Sequence, residues 1–133
     1  MKVNSSRMNF AEIVQDYIKD YRQDVLSTMY ETIDEVSKET VKDLKDISKK
    51  TFKSKKKKAY WKGWTRKVEQ GRTSVGATIY GKSGTYQLAH LLEYGHAKAG
   101  GGRVEGTPHI SVVNDKANDE VYHRMMDKLE RLP

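Results

Sequence analysis

Two stretches of the chain hold residue types at spacings that suit chemistry. From Gly76 to Ser83 the sequence GATIYGKS has the letters of a phosphate-binding loop, in which backbone amides and a lysine cradle phosphates and a hydroxyl holds magnesium. The context is wrong for that chemistry. The motif needs a buried strand just before its first glycine, yet residues 69–74 are polar, and residues 75–80 themselves show the β-branched alternation of a strand. No later apolar run ends in an aspartate that would offer a second magnesium ligand, and a chain of 133 residues has little room for the parallel sheet. We expect no nucleotide site and no cofactor.

The second stretch contains His90, Glu93 and His96, with His109 nearby in sequence. A helical i, i+3 spacing puts His90 and Glu93 on one face, and imidazoles with a carboxylate are good zinc ligands. His96, however, lies beyond Gly95, where a glycine in the left-handed conformation would end the helix, and the continuous His-Glu-x-x-His arrangement of zinc peptidases is absent. The structural alternative is that His90 and Glu93 hydrogen-bond locally while His96 and His109 fix the following loop through backbone contacts. No serine, histidine and acid set stands in a nucleophile-elbow context. We expect no catalytic residue and no metal.

The elements that position these residues follow from periodicity. Residues 9–48 contain neither glycine nor proline, and Phe10, Ile13, Val14, Tyr17, Tyr21, Val25, Met29, Ile33, Val36, Thr40, Leu44 and Ile47 trace one stripe at steps of three and four. That predicts a long amphipathic helix, started by an Asn9–Glu12 capping box and a Met8–Ile13 staple. Unbroken, it would be on the order of 55 to 60 Å long, more than a compact domain of this size is wide, so it must kink or project. A projecting stripe needs a cover, and a second copy of the chain is the simplest one. Residues 60–68 and 75–79 alternate as strands around a turn at Gln70-Gly71-Arg72, which predicts an antiparallel β-hairpin. Leu88, Leu91 and Leu92 mark a short central helix ending at Gly95. A glycine-rich loop and a short strand at residues 109–113 follow, and Asn114 or Asp115 caps a last helix that turns Ala117, Val121, Met125, Leu129 and Leu132 inward. The reading is one α+β domain over residues 1–133: a long helix (9–48), a basic loop (49–58), a small sheet with the short helix and glycine-rich loop (59–113), and a C-terminal helix (114–132) packed on the sheet.

Composition adds bounds. Hydrophobic residues make up 36% and charged residues 32%, so apolar surface must be concentrated in stripes or shared between copies. The absence of cysteine rules out disulfides and cysteine-based sites, in keeping with a reducing cytoplasm. No stretch approaches the roughly 20 apolar residues of a membrane span, and the N-terminus has no signal-peptide core, so a soluble product without membrane contact is expected. The net charge of +7 is concentrated at Lys49, Lys50, Lys53, Lys55, Lys56, Lys57 and Lys58. Such a run can bind phosphates by counterion release, and Phe52, Tyr60, Trp61 and Trp64 would suit base stacking. A solvated loop leading into an ordinary strand explains the same residues and is favoured.

One resemblance narrows the function. The run Leu88-Ala89-His90-Leu91-Leu92-Glu93-Tyr94-Gly95-His96, then Gly101-Gly102-Arg103-Val104 and Pro108-His109-Ile110, resembles the tail-completion or head-tail joining family of long-tailed bacteriophages. The likeness covers roughly the C-terminal half and does not extend to the lysine run. It implies a non-enzymatic virion protein of the neck or tail end, assembled from the host cytoplasm into a sixfold ring. Its neighbours would be further copies of itself, the head connector, and the tail tube or tail terminator. On this reading His96, Gly101, Gly102, Arg103, Val104, Pro108 and His109 belong to a loop that orders on docking. The alternative, from a different class, is a nucleic-acid-binding module that contacts DNA through Lys55, Lys56, Lys57 and Lys58.

Overall fold

A computed structural model describes residues 10–53 and 59–132. The architecture is α+β, as the periodicities predict. Helix α1 (Phe10–Thr51) runs for 42 residues without a break, about 63 Å at 1.5 Å per residue. Its leading turns extend past the elements that pack on it. The expected capping box and staple involve Met8 and Asn9, which lie outside the described residues.

From Leu26 onward α1 buries one stripe, including Thr32, Val36, Thr40, Leu44 and Ser48. Several of these are hydroxyl residues, which would be costly inside a protein without partners. Here the helix itself supplies the acceptors: Thr28 Oγ1 donates to the Asp24 carbonyl (2.8 Å), Thr32 to Thr28 (2.8 Å) and Thr40 to Val36 (2.7 Å). Ser48 instead accepts a hydrogen bond from Trp64 Nε1 at 3.1 Å, tying the end of α1 to the hairpin.

Strands β1 (Trp64–Gln70) and β2 (Val75–Gly81) pair antiparallel, with Trp64 opposite Gly81 and Gln70 opposite Val75. Tyr60–Gly63, expected as the start of the first strand, is a single 3-10 turn. That turn rotates Tyr60 into the interior, where it is 1% exposed. Helix α2 (Tyr86–Tyr94) stops at Gly95, as expected, but not in the left-handed helical conformation: its φ of +81° comes with a ψ of 179°, an extended positive-φ backbone open to glycine that leads straight into a strand. The glycine-rich loop then proves more ordered than its composition suggests. Strands β3 (Gly95–Ala97) and β4 (Arg103–Glu105) form a second antiparallel ribbon, separate from the first, leaving only residues 98–102 as its tip.

The short strand expected at residues 109–113 does not form. Helix α3 (Ile110–Glu130) already begins there, and neither Asn114 nor Asp115 caps it. It runs antiparallel along α1, since Lys128, Arg124 and Lys116 pair in turn with Glu35 (3.2 Å), Glu39 (2.7 Å) and Asp43 (3.1 Å). The core lies where the end of α1, the 3-10 turn, β1 and the start of α3 converge, with Leu44, Phe52, Tyr60, Trp64 and Val113 in contact.

Candidate functional site

Around Glu93 the end of α2 meets the segment that starts α3. The Glu93 side chain is 5% exposed and reaches the N-terminus of α3, where Oε1 accepts from the backbone N–H of His109 (2.7 Å) and Ile110 (2.8 Å), and Oε2 from Ser111 (3.1 Å). The first amides of a helix lack partners within it and carry partial positive charge. Thr107-Pro108-His109 supplies no side-chain cap, so a carboxylate from another helix does. Burial alone would raise the Glu93 pKa, but the three amides outweigh it and hold the carboxyl below its ordinary value.

His109 completes the cluster. Fully buried, it places Nδ1 2.8 Å from the Thr107 carbonyl and 3.2 Å from Glu93 Oε1, and Nε2 2.7 Å from the Tyr60 hydroxyl. A carbonyl can only accept, so Nδ1 carries the hydrogen, and a neutral ring then accepts at Nε2 from Tyr60. Burial, followed by the Glu93 charge, pushes the Tyr60 phenol well above its usual range, which keeps that donor protonated. Thr85 Oγ1 donates to the Tyr60 carbonyl at 2.6 Å. The acid–imidazole–hydroxyl order resembles a catalytic relay, but each Glu93 oxygen already holds a helix amide and the tyrosine is sealed from solvent. The arrangement is suited to locking three elements together.

The expected docking residues divide between this lock and the ribbon. His109 is buried, Pro108 is exposed and Val104 half-buried, while His96 is exposed on β3 opposite Val104. Gly101 and Gly102 turn the tip with φ of +109° and +84°. Arg103 points back, its Nη2 donating to the Tyr94 carbonyl at 2.5 Å and so satisfying the C-terminal end of α2. His90 is exposed and faces the Tyr94 ring at 5.0 Å, apart from Glu93. Among the described residues no three His, Cys, Asp or Glu side chains are grouped to hold a metal ion. The phosphate-loop letters fall in β2 from Gly76 to Gly81, where amides alternate across a paired strand and cannot converge on a phosphate.

Lys55, Lys56, Lys57 and Lys58 lie outside the described residues. Beside them, Lys49 and Lys62 stand over the Trp61 ring at 4.8 and 5.8 Å, and with Phe52 and Lys53 they line a basic hollow of about 370 Å³.

Among the described residues, apolar surface is exposed on α1 and in a groove beside it. The leading part of α1 exposes Val14 by 40%, Tyr17 by 55%, Ile18 by 51% and Tyr21 by 50%. Elsewhere α1 forms the floor of a groove of about 460 Å³, walled by Ile79 of β2 and by Val121, Met125 and Met126 of α3. Of the predicted α1 stripe Val36, Thr40 and Leu44 are buried and Val14, Tyr17 and Tyr21 are exposed, while the buried Leu26, Thr28, Thr32 and Ser48 and the roles of Glu93, Tyr60 and Thr85 were not foreseen. Comparison of the chain with protein-family models, with curated proteins and with solved structures finds no match in any of the three.

Proposed function

We propose that this chain is a structural subunit of a phage neck or tail end, closing a ring that joins the tail to the head connector. One observation carries the assembly part of the reading: the first turns of α1 present an apolar stripe that nothing in the described chain covers. Large exposed apolar patches on folded domains mark surfaces that other molecules cover. The resemblance across α2, the ribbon and the start of α3 supplies the location. The Glu93 lock supports it, because it fixes the start of α3 behind a ribbon whose turn, residues 98–102, is exposed and so able to meet a partner. That turn is already closed by the Lys98 N–H donating to the Gly102 carbonyl at 3.0 Å, which keeps the entropic cost of docking small.

The test is electron microscopy of particles made without this chain. The reading expects separate full heads and separate tails, with the chain present in complete virions. Complete, infectious, tailed particles lacking it would overturn the reading. Within the ribbon, Arg103→Glu combined with Val104→Asp should give the same defect.

A second reading, nucleic-acid binding, is favoured by the Lys49, Trp61 and Lys62 cluster, where an aromatic ring lies among cations beside the lysine run. It expects affinity for single-stranded DNA that falls steeply with salt and is lost when Lys49, Lys53 and Lys62 become Gln. Weak binding with no dependence on these lysines would remove it.

A further inference from the structure

We propose that the open edge of β2, with the groove beside it, takes up one extended, uncharged segment of another protein as a third strand. The inference goes beyond the neck reading and stands without it.

Two hydrogen bonds fix which way the backbone of β2 faces. Lys82 N–H donates to the Gly63 carbonyl (2.8 Å) and Gly71 N–H to the Ser74 carbonyl (2.8 Å), at either end of a register that pairs Trp64 with Gly81 and Gln70 with Val75. Directly bonded pairs alternate along an antiparallel ladder. Gly76, Thr78 and Tyr80 therefore turn their amides and carbonyls to β1, while those of Val75, Ala77 and Ile79 point away from it. The sheet contains only β1 and β2, and among the described residues nothing pairs with these outward groups. Thr85 and Tyr86 crowd Gly81, so the open stretch is residues 75–79.

Proteins blunt exposed strand edges with lysine, proline or a bulge, because an open edge invites pairing with another chain. This edge has none of the three. The sequence of β2, VGATIYG, carries no charge and no proline, and its ladder to β1 runs without interruption.

The space along the edge suits a strand. Ala77 and Ile79 form one wall of the groove of about 460 Å³, Val36 and Thr40 of α1 its floor, and Val121 and Met125 of α3 the far wall. A hollow of about 400 Å³ beside Ser74, Val75 and Ala77 continues along the same strand. An inserted strand has two polar edges of its own. Val75, Ala77 and Ile79 would satisfy one. Facing the other are Asn114 and Asn118, one turn apart on α3, whose side-chain amides line the groove and hold no hydrogen bond among the described residues. A helix bonds its backbone internally and would cover the β2 edge without pairing it, which is costly. β2 of a second copy would bring its own α1 beneath it into the place that α3 holds, whereas a single strand meets only the groove. No charged residue lines the groove, so the segment that fits is uncharged there, with apolar side chains at alternate positions.

The test is selection from a library of random linear peptides on the immobilised full chain, followed by amide hydrogen exchange. In the free protein Thr78 and Tyr80 should exchange slowly and Ala77 and Ile79 fast. Selected peptides should alternate apolar and polar residues and slow exchange at Ala77 and Ile79 by about tenfold or more. Methylating alternate peptide amides should abolish binding for one set of positions and spare it for the other. Ala77→Pro removes an outward donor and leaves the β1–β2 ladder whole. It should keep the fold and bind the selected peptides about tenfold more weakly. Unchanged affinity in a folded Ala77→Pro chain overturns the proposal, as does equal tolerance of methylation at both sets of positions. So do a library without binders, selected peptides with apolar residues at helical steps of three and four, and peptides that leave exchange at Ala77 and Ile79 unchanged. Slow exchange at Ala77 and Ile79 in the free protein that is lost on dilution would give the edge to a second copy and overturn it too. Complete particles lacking the chain would remove the neck reading and leave these results untouched.

Discussion

Around Glu93 the chain gives every polar atom a partner; along the first turns of α1 it leaves large apolar side chains in water. Among the described residues no buried side-chain nitrogen or oxygen lacks a hydrogen bond, and the Glu93, His109, Tyr60 and Thr85 group shows how that is reached. The projecting part of α1 is its opposite, with Tyr17 and Ile18 more than half exposed. The contrast separates two tasks. The lock ties the chain's own elements together, and the projecting helix presents apolar surface that the described residues leave exposed. A helix that long has no other reason to stay apolar beyond the end of its partner helix.

The strongest way to break this comparison is to remove the lock. Glu93→Ala would leave three amides at the start of α3 without an acceptor and deprive His109 Nδ1 of its nearby carboxylate. Leaving buried charge-assisted partners unpaired is expected to cost about 3–5 kcal/mol, measured by denaturant unfolding. A cost under about 1 kcal/mol would mean that the site is not the anchor argued for. Next in size is Gly95→Ala. Its φ of +81° disfavours any side chain, and a Cβ there would meet the Val104 carbonyl at 2.3 Å and the Gly106 nitrogen at 2.7 Å. A loss of about 2–3 kcal/mol is expected, with amide exchange speeding up in β3 and β4 before the rest of the chain.

How much of this was legible beforehand follows the range of the interactions. The α1 stripe, the hairpin and the stop at Gly95 are local periodicities and local backbone needs, and they can be read directly. The start of α3 could not be. Asn114 and Asp115 looked like its cap because the true acceptor, Glu93, is 16 to 18 residues earlier and reaches it only in three dimensions. Tyr60 misled for a related reason: alternation with Trp64 and Val68 suits a strand, and the 3-10 turn is dictated by tertiary contacts of its ring with Phe52, Trp64 and His109. The glycine-rich segment looked flexible by composition, but Gly95–Ala97 and Arg103–Glu105 pair across a ribbon whose base the Arg103 guanidinium and Gly95 fix.

A smaller effect sharpens the comparison through pH. Glu93 has its folded pKa held below the ordinary carboxyl value of 4.5. Between those two values the unfolded chain binds the proton that the folded chain refuses, so stability present above pH 4.5 is lost progressively as pH falls through the folded value. One group contributes a slope of at most about 1.4 kcal/mol per pH unit. In Glu93→Gln that part of the acid limb should vanish from the melting temperature plotted between about pH 3 and 6, even though the whole curve lies lower. An unchanged acid limb would assign the slope to other carboxylates, such as Asp34, which the Arg66 guanidinium at 2.7 Å also holds below its usual value.

The smallest expected change is the most informative about the projecting helix. Tyr17→Ser with Ile18→Ser, measured at concentrations where the chain is monomeric, should alter unfolding free energy by no more than about 0.5 kcal/mol, because side chains that stay more than half exposed bury little on folding. Serine's weaker helix propensity accounts for the small residue of that change. Moving the same substitution along the stripe, the cost should rise only when it reaches Leu26, which is 7% exposed. That step would mark the boundary between helix that serves the monomer and helix that serves a partner. A loss above about 1.5 kcal/mol at Tyr17 and Ile18 would place the boundary nearer the N-terminus, mean that the chain covers this stripe itself, and leave nothing there for a second molecule to bury.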